Sequence, residues 1–299
     1  MPLFSVIIPT YNRAEKLRNA VCSVLAQTHP DFELLVMDDG STDHSERVVD
    51  GFFDRRIRYD WAANSGGPAT PRNRGISLAG APWICFLDAD DIWYPAKLSD
   101  VAKAIRQQPH TDVFCHNEML NVISSDEKTL LKYGPYEAGF YRVLLVQGNR
   151  LSTSAVTVRT EFLLKHELRF NQASDYVIVE DYDMWLRLAN AGARFCFLEA
   201  ALGEYIIEKD NISHATATAR RHLDVLLRDH VYQIQQFEPN RERLWREIRL
   251  RLDLEAARQL WDTGETFHGL HMLLGSAARQ PLNSLRVLAS KIRYAAKRG

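Results

Sequence analysis

Two hydrophobic periodicities alternate near the start of the chain, and this alternation constrains the fold more than any other feature of the sequence. Residues 4–8 form a continuous apolar run, which is typical of a strand buried on both faces. In residues 14–27, Leu17, Val21 and Val24 recur at the spacing of an amphipathic helix. The pattern predicts strands over residues 4–8, 32–37, 57–59 and 83–87. It predicts helices over residues 14–27 and 95–108, a helix from a cap at Ser41 or Thr42 to about residue 53, and a short helix that ends at about residue 78.

Strands and helices that alternate with short connections are typical of right-handed βαβ units. Such units build a mostly parallel sheet flanked by helices, in which ligands bind beyond the carboxyl ends of the strands. Farther along, the pattern predicts strands near residues 113–116, 154–158 and 195–198 and a helix over residues 181–191. From residue 213 onward helical patterning dominates. The sequence therefore predicts an α/β fold with a C-terminal helical extension.

The charges and cysteines exclude several classes of protein. The 299 residues carry 37 Lys plus Arg and 38 Asp plus Glu, so no whole-molecule field favours a nucleic-acid partner and we expect none. The cysteines lack metal-ligand spacing and lie among apolar residues, which predicts four buried thiols in a reducing cytosol: Cys22, Cys85, Cys115 and Cys196. No apolar run reaches about 18 residues and Pro9 interrupts the start, so we expect neither a membrane span nor a signal peptide.

Acidic residues directly follow two of the predicted strands. Asp38 and Asp39 follow the second strand, and Asp88 and Asp90 follow the fourth. Because successive side chains of a strand point to opposite faces, Asp88 and Asp90 leave its end on the same side, where they repel each other unless a cation joins them. Mg²⁺ or Mn²⁺ suits such a pair, since it binds few protein carboxylates and takes water and phosphate oxygens as further ligands. The alternative is that these acids cap the next helix or lie in a solvated turn.

A third acidic pair, Glu180 and Asp181, opens a predicted helix. Acids in a first helical turn are stabilised by the macrodipole, so a purely structural role is the default interpretation of this pair taken alone.

Residues 64–75 contain glycines, prolines and two arginines, Arg72 and Arg74. Backbone amides and arginines in such a loop are suited to approach a diphosphate, and an ordinary crossover loop is the alternative. No GxGxxG follows the first strand and the sequence has no GxxxxGK[ST], so the dinucleotide-binding and P-loop classes lose their main support.

Five segments follow one another in a recognisable order. They are SVIIPTYNR (residues 5–13), DDGSTD (38–43), the loop 64–75, FLDADD (86–91) and the pair Glu180-Asp181. Together they resemble the motifs of the family 2 glycosyltransferases of the GT-A fold, over about residues 3–210. The resemblance implies a Rossmann-like GT-A domain over residues 1–212, with a nucleotide-sugar-binding half (1–110) and an acceptor-binding half (111–212), and a helical region over 213–299.

The resemblance also implies an activity: transfer of a sugar, with inversion, from a nucleotide-diphosphate donor to an acceptor hydroxyl. The usual donor is a UDP-sugar, the acceptor is a saccharide or a lipid-linked molecule, and the usual setting is bacterial surface polysaccharide or lipopolysaccharide synthesis. The implied donor-binding residues are Pro9, Thr10 and Tyr11 at the nucleoside, Asp38 and Asp39 at the base, Arg72 near the base and diphosphate, and Asp88 at the ribose or a metal-bound water.

The same resemblance assigns the chemistry to the second and third acidic clusters. Asp90 would hold Mn²⁺ or Mg²⁺ at the two phosphates, with Asp88 as an alternative ligand. His214 is a further candidate ligand, and a solvated loop histidine is the other interpretation of it. Asp181 would be the catalytic base, and Glu180 would orient the acceptor or the donor sugar. Because a helix N-terminus favours the charged form of an acid, we expect Asp181 to be ionised.

Two other functions stay open on the sequence alone. A catalytically inactive homologue would bind a nucleotide sugar without transferring it. A sugar-nucleotide nucleotidylyltransferase would carry a glycine-rich, arginine-containing loop after the first strand, where this chain has PTYNR in residues 9–13.

The C-terminal segment combines apolar and basic residues. Leu285, Leu288 and Ile292 recur at helical spacing beside lysines and arginines. A basic amphipathic helix of this kind is suited to peripheral contact with an anionic membrane, here the inner face of the cell membrane. A terminal helix that packs on the domain with a solvated basic face is the alternative.

Overall fold

Nine β-strands form one mixed sheet in the computed structural model, which describes residues 1–124, 127–207 and 216–262. The strands are β1 (Phe4–Thr10), β2 (Phe32–Asp38), β3 (Ile57–Trp61), β4 (Trp83–Phe86), β5 (Ile92–Trp93), β6 (Val113–Val122), β7 (Lys128–Leu131), β8 (Val156–Arg159) and β9 (Phe195–Ile207). The helices of these residues are α1 (Ala14–Leu25), α2 (Ser45–Asp50), α3 (Ala69–Leu78), α4 (Lys97–Gln107), α5 (Phe140–Gln147), α6 (Thr160–Lys165), α7 (Glu180–Asn190), α8 (Thr216–Asp229) and α9 (Arg241–Asp262).

The strands follow the order β3-β2-β1-β4-β8-β6-β9-β5, with β7 paired to β6. The first four strands of this order are parallel to one another. β8 then lies antiparallel between β4 and β6, whereas β6 and β9 are parallel. The predicted α/β class is confirmed. The antiparallel direction of β8 is a finding of the structure, because hydrophobic periodicity marks a strand but not its direction.

The core lies between the sheet and its helices. β1 is buried along its whole length, as its continuous apolar run predicts for a strand covered on both faces. Leu17, Val21 and Val24 of α1 are fully buried against the sheet, so the predicted helical stripe is confirmed. This packing holds the carboxyl ends of the parallel strands at one edge.

The predicted helix cap at Ser41 or Thr42 is wrong. α2 begins at Ser45, and no side chain caps it. The Ser41 hydroxyl instead accepts a hydrogen bond from the Asn12 N–H, and the Thr42 N–H donates to Asn12 Oδ1, both at 2.8 Å. Residues 41–43 therefore fix the turn that follows β1.

The prediction of four buried thiols holds for three of them. Cys85, Cys115 and Cys196 are buried, whereas Cys22 is exposed. Cys22 follows Val21 on α1 and lies outside the apolar stripe of that helix, so its side chain faces solvent.

α3 packs tightly on β1. It begins at Ala69, and its first turn includes Pro71, which is tolerated there because an N–H in the first turn has no partner within the helix. A Cβ atom added to Gly75 would lie 2.6 Å from Cγ2 of Ile7, whose side chain is fully buried. Only glycine permits this approach, which brings Arg72 on the same helix to the edge of the sheet.

The chain divides into two compact units. One comprises residues 1–136 and 150–223 and contains the whole sheet. The other comprises residues 137–149 and 224–299. The boundary predicted at residue 212 falls in the segment 208–215, outside the described residues, and stays a prediction.

In the described part of the second unit, α5 and α9 lie against each other. The Tyr141 hydroxyl lies 2.8 Å from His230 Nδ1, and both side chains are buried. None of the helices in the described ranges is long and apolar enough to cross a membrane. Residues 285–297, for which membrane contact is predicted, lie outside the described residues.

We expect Gly75→Ala to lower the free energy of unfolding by about 1–3 kcal/mol. The added methyl group must displace the Ile7 side chain, which costs more than the helix propensity that alanine contributes, about 1 kcal/mol. Urea denaturation measures the change. Gly51→Ala is the matched control, because its Cβ would make only ordinary contacts of 3.5 Å. Equal stability of the two variants would contradict the tight packing of α3 on β1.

Candidate functional site

The carboxyl ends of β1, β2 and β4 meet at one edge of the sheet, because these strands are parallel neighbours. Thr10 pairs with Asp38 at the last register position of β1 and β2. The Asp39 N–H donates to the Thr10 carbonyl at 2.9 Å, and Asp88 lies just beyond the end of β4. The first and second acidic clusters therefore lie at the same edge.

Asp38 and Asp39 both have partners within the protein. Asp38 is fully buried, and its carboxylate accepts hydrogen bonds from the Ser41 N–H at 2.7 Å and the Tyr59 hydroxyl at 2.6 Å. Asp39 is also buried and accepts from the Ser65 hydroxyl at 2.8 Å and the Ser65 N–H at 3.0 Å. Asp38 thus fixes the ends of β2 and β3, and Asp39 fixes the loop that follows β3.

The end of β1 carries groups that are suited to a planar ligand. The Thr10 hydroxyl is buried and has no hydrogen-bond partner in the described part of the chain. Tyr11, next to it, is 47% exposed, and Pro9 is buried within β1. A buried hydroxyl beside an exposed aromatic ring offers a hydrogen bond and a stacking surface, which is compatible with the nucleoside role implied for these three residues.

Arg72 joins the second acidic cluster to the third. Its Nη2 donates to Asp88 Oδ1 and its Nη1 to Glu180 Oε1, both at 2.6 Å. Arg72 is 3% exposed and Glu180 4%. Burial lowers the pKa of Arg72, but the charges of Asp88 and Glu180 raise it by more, so the net pKa lies above its ordinary value. The guanidinium is therefore a permanent cation between two carboxylates.

This arrangement changes the interpretation of Arg72. The resemblance implies a contact with the base and the diphosphate, but both terminal nitrogens of the guanidinium are engaged by carboxylates of the protein. The same helix supplies Asn73, whose side chain exchanges two hydrogen bonds of 2.8 Å with the backbone of Phe170. α3 thus links the end of β4 to the segment that leads into α7.

Asp90 lies beside a second arginine. Its Oδ2 accepts a hydrogen bond from Arg13 Nη1 at 2.7 Å. Burial raises the pKa of Asp90, the charge of Asp88 raises it further, and Arg13 opposes both effects. The charges of Asp88 and Asp90 therefore repel each other, as the sequence spacing predicts.

The Asp88-Asp90 pair fits a divalent cation. A cation between these carboxylates would relieve their repulsion. Among residues 1–124, 127–207 and 216–262, no three His, Cys, Asp or Glu side chains gather as a metal site, so the protein would supply only one or two ligands. Mg²⁺ and Mn²⁺ accept such a set, because water and phosphate oxygens complete their coordination. His214 lies outside the described residues.

Asp91 belongs to the scaffold under the acidic pair. It is 2% exposed and accepts hydrogen bonds from the Ser154 hydroxyl at 2.5 Å and the Ile206 N–H at 3.0 Å. The Ser154 oxygen also accepts from the Asp88 N–H at 3.1 Å. Ser154 therefore fixes the backbone that carries Asp88 and Asp90.

A second buried acid lies near Asp91. Glu118 on β6 is fully buried and accepts a hydrogen bond from the Tyr133 hydroxyl at 2.7 Å. Burial raises the pKa of Glu118 to about 7. Burial and then the charge of Glu118 raise the pKa of Asp91.

The third acidic pair opens α7, which begins at Glu180. Ile178, two residues earlier, has φ of 80°, a left-handed conformation that costs a β-branched residue about 1–3 kcal/mol. The neighbouring Val177 carbonyl lies 2.7 Å from His222 Nδ1. The chain therefore enters α7 through a strained turn, which the contact of Val177 with His222 holds on one side and the ion pair of Glu180 with Arg72 holds on the other.

Asp181 accepts two hydrogen bonds and has a strongly shifted pKa. Its Oδ2 accepts from the Thr153 hydroxyl at 3.2 Å and its Oδ1 from the Tyr182 N–H at 2.6 Å. Burial and then the charge of Glu180 raise the pKa of Asp181 to about 7, although Arg72 opposes them. Burial thus opposes the helix N-terminus, which favours the charged form of this acid.

Asp88 connects all of these acids electrostatically. Its charge raises the pKa of Asp90 and that of Asp181. Asp90 and Asp181 thus belong to one acidic cluster around Asp88, although they are 91 positions apart in the sequence. An acid with a pKa near neutrality beside a candidate cation site is suited to accept a proton.

Arg13, Thr153 and Ser154 are site residues that sequence reasoning missed. Arg13 lies within the PTYNR motif of residues 9–13, so its position beside the nucleoside segment was a usable signal. Thr153 and Ser154 belong to no motif. They reach the site because β8 runs antiparallel to β4, which brings the start of β8 to the carboxyl end of β4.

We expect Arg72→Met to lower the free energy of unfolding by about 3–5 kcal/mol, because it leaves Asp88 and Glu180 without their cation. Arg72→Lys keeps the charge but cannot bind both carboxylates in the same fork, so its loss is intermediate. Urea denaturation measures both. Arg74→Met is the matched control, since the Arg74–Asp60 ion pair is partly exposed. Losses as small for Arg72→Met as for Arg74→Met would contradict the bridging role of Arg72.

Comparison with known proteins places the chain in a family. Residues 5–152 match the model of the family described as Glycosyl transferase family 2. The UDP-Glc:alpha-D-GlcNAc-diphosphoundecaprenol beta-1,3-glucosyltransferase WfgD of Escherichia coli is 30% identical over 62% of this chain and 69% of its own length. The uncharacterized glycosyltransferase alr2836 of Nostoc sp. is 37% identical over 54% of this chain and 52% of its own length. The chain thus spans about half the length of this second relative.

Solved structures show the same fold. TarS 1-349 of S. aureus, in complex with UDP-GlcNAc, matches with a TM-score of 0.69 and 19% identity over 97% of this chain and 83% of that chain. The mannosyltransferase PcManGT of Pyrobaculum calidifontis, in complex with GDP-Man and Mn2+, matches with a TM-score of 0.61 and 18% identity over 99% of this chain and 81% of that chain. This likeness confirms the GT-A architecture, and together with the sequence matches it establishes that the chain belongs to glycosyltransferase family 2.

Proposed function

We propose that the chain transfers a sugar from a nucleotide-diphosphate donor, with UDP as the nucleotide, to a hydroxyl of a saccharide or lipid-linked acceptor, with inversion at the anomeric carbon. The setting is the synthesis of a bacterial surface polysaccharide. The observation that carries the proposal is the Arg72 bridge, which unites Asp88 and Glu180 in one site although 108 residues separate Arg72 from Glu180. A cation site and a candidate base thereby share one acidic cluster.

The relatives support this choice of donor and setting. WfgD is named for a UDP-Glc donor and a diphosphoundecaprenol-linked acceptor, and the TarS structure holds UDP-GlcNAc. A further relative, from Bacillus subtilis, is named as a putative teichuronic acid biosynthesis glycosyltransferase. For the present chain these are proposals, and contact of residues 285–297 with the inner face of the cell membrane would bring a lipid-linked acceptor close to it.

In the proposed reaction, the acceptor oxygen forms a bond to the anomeric carbon as the bond from that carbon to the diphosphate breaks. The diphosphate leaves with the electron pair of the broken bond, and the proton of the acceptor hydroxyl passes to the carboxylate of Asp181. A single displacement of this kind inverts the anomeric configuration, and its transition state resembles an oxocarbenium ion. With a pKa of about 7, Asp181 binds the transferred proton more strongly than an ordinary aspartate would.

Glu180 and the nucleoside residues position the substrates in this proposal. Glu180 Oε2 is buried and has no hydrogen-bond partner within the described ranges, while Oε1 is held by Arg72. Its unpaired oxygen is suited to accept a hydrogen bond from a sugar hydroxyl. Thr10 and Tyr11 offer the hydroxyl and ring for the base, and Asp39 keeps the adjacent loop in place through Ser65.

Asp90, with Asp88 beside it, would hold Mn²⁺ or Mg²⁺. When bound, such an ion supplies Lewis-acid stabilisation of the charge on the departing diphosphate, worth several kcal/mol. The Mn2+ in the PcManGT complex is a precedent within the same fold. Arg72 and the backbone contacts of Ser154 keep the two carboxylates at this position.

A screen of UDP, GDP, dTDP and their sugars with Mn²⁺ by thermal shift tests the donor class. We expect UDP or a UDP-sugar to raise the unfolding temperature most, because a ligand that binds only the folded state stabilises it. A hydrolysis and transfer assay with the best donor follows. Binding without either reaction would favour the catalytically inactive homologue over the proposed transferase.

We expect Asp181→Asn to reduce transfer by about 10²-fold to 10⁴-fold while donor affinity stays within a few-fold of the wild type. The amide keeps the shape of the carboxylate and loses its basicity. Transfer assays and calorimetry with the donor measure the two effects. Wild-type turnover in this variant would remove Asp181 from the role of base.

The transfer rate of the wild type should rise with pH and level off above about 7, because Asp181 must be deprotonated to accept a proton and its pKa is raised to about 7. Rate profiles at saturating substrate between pH 5 and 9 measure this. Glu118 has a pKa of about 7 as well, so Glu118→Gln is the control. If the rise of the rate with pH is lost in Glu118→Gln but kept in Asp181→Asn, the titrating group is Glu118, and the proposed role of Asp181 as the base is contradicted.

We expect Asp90→Ala to weaken UDP binding in the presence of Mn²⁺ by at least about tenfold and not to weaken UDP binding in the presence of EDTA, because Asp90 attracts the nucleotide only through the ion. Calorimetry with and without Mn²⁺ measures both affinities. An unchanged affinity in Mn²⁺ would remove Asp90 from the metal site.

A further inference from the structure

The ion pair between Arg13 and Asp90 differs in kind from the pair between Arg72 and Asp88. Arg13 Nη1 lies 2.7 Å from Asp90 Oδ2, and the two side chains are 22% and 21% exposed. Arg72 is 3% exposed and donates to two carboxylates at once. Arg13 therefore binds one oxygen of one carboxylate and keeps partial access to solvent, so this ion pair is easier to break than the buried pairs of Arg72.

The backbone on both sides of Arg13 is fixed. Asn12 has φ of 51°, a left-handed conformation that asparagine tolerates, and its N–H donates to the Ser41 hydroxyl. The Ala14 N–H donates to Asp43 Oδ2 at 3.0 Å. The turn after β1 is thus held from residues 41–43, and movement of Arg13 is confined to its long side chain.

A metal ion at Asp90 would compete with Arg13 for this carboxylate, directly at Oδ2 and through charge repulsion at Oδ1. The positive charge of Arg13 opposes the effects of burial and of Asp88 at this carboxylate. A guanidinium and a divalent cation at the same carboxylate repel each other. Binding of the cation at Asp90 would therefore weaken the Arg13–Asp90 ion pair and favour movement of the Arg13 side chain.

A diphosphate is the anion that Arg13 would then meet. The proposed donor would bring its phosphates close to a cation at Asp90, and Arg13 follows Thr10 and Tyr11, the residues proposed for the nucleoside. The planar fork of guanidinium donors matches phosphate oxygens in two hydrogen bonds, whereas Asp90 takes only one from it here.

We propose that Arg13 is an exchangeable counter-ion, which neutralises Asp90 before the donor arrives and binds the donor diphosphate once a divalent cation has taken Asp90. This inference rests on the proposed function, because it assumes a nucleotide-diphosphate donor. It makes Arg13 a competitor of the metal ion in the absence of nucleotide and a binding residue for the metal-nucleotide complex.

The first test is titration of the full chain with Mn²⁺ alone, in which the EPR signal measures how much of the ion stays free. We expect Arg13→Gln to bind Mn²⁺ about three to ten times more tightly than the wild type, because the competing charge is gone. Arg18→Gln is the matched control, since Arg18 is half exposed on α1, the helix that begins directly after Arg13, and pairs with Glu15 rather than Asp90. Arg13→Gln in an Asp90→Asn background should give no gain. Unchanged or weaker Mn²⁺ binding by Arg13→Gln would overturn the proposal.

The second test compares UDP with uridine in the presence of Mn²⁺ by calorimetry. We expect Arg13→Gln to weaken UDP binding about tenfold and uridine binding less than about twofold, because uridine lacks the phosphates. Arg13→Lys keeps a positive charge and should recover most of the UDP affinity. Equal weakening of UDP and uridine would overturn the proposal, since it would mean that Arg13→Gln disturbs the nucleoside pocket.

The two tests separate this inference from the proposed function. If the wild type binds no UDP, GDP or dTDP with Mn²⁺, the proposed donor class fails. The titration with Mn²⁺ alone still decides whether Arg13 competes for Asp90, because it contains no nucleotide.

Discussion

The buried guanidinium of Arg72 is the interaction on which the rest of the site depends. It lies between Asp88, at the end of β4, and Glu180, at the start of α7, with a distance of 2.6 Å to each. Removing a cation from between buried carboxylates would cost more than most single contacts contribute. The fold therefore keeps these two elements together, and the tight packing of Gly75 against Ile7 sets the position of the helix that carries the guanidinium.

Two arginines divide the charge compensation of the acidic cluster between a permanent and an exchangeable part. Arg72 is buried and occupied on two sides, whereas Arg13 lies at the edge of solvent on a single carboxylate oxygen. Asp181 has neither arginine as a direct hydrogen-bond partner, and its raised pKa follows from burial and from Glu180. In this site Asp88 is paired with buried Arg72, Asp90 is paired with partly exposed Arg13, and Asp181 has a raised pKa. Such a site is suited to bind an ion and move a proton in the same reaction.

Hydrophobic periodicity and motif order were sufficient to predict the α/β class, most strands, and the edge at which Asp38, Asp39 and Asp88 meet. They could not predict the Arg72–Glu180 pair, because contacts 108 residues apart leave no periodic trace. The shifted pKa of Asp181 also escaped prediction, since the burial that raises it depends on tertiary packing. Local propensity misled at Ser41, where the hydroxyl binds the backbone of a distant turn instead of capping α2.

The exposure of Cys22 was within reach of the sequence, because the Leu17, Val21 and Val24 stripe leaves that position on the opposite side of α1. Its accessibility has a practical consequence. Of the four cysteines, Cys85, Cys115 and Cys196 are buried, so a thiol-reactive fluorophore would attach selectively to Cys22. The dye would lie on the helix that begins directly after Arg13, and its emission would report ligand-dependent changes in that helix without any engineered attachment point.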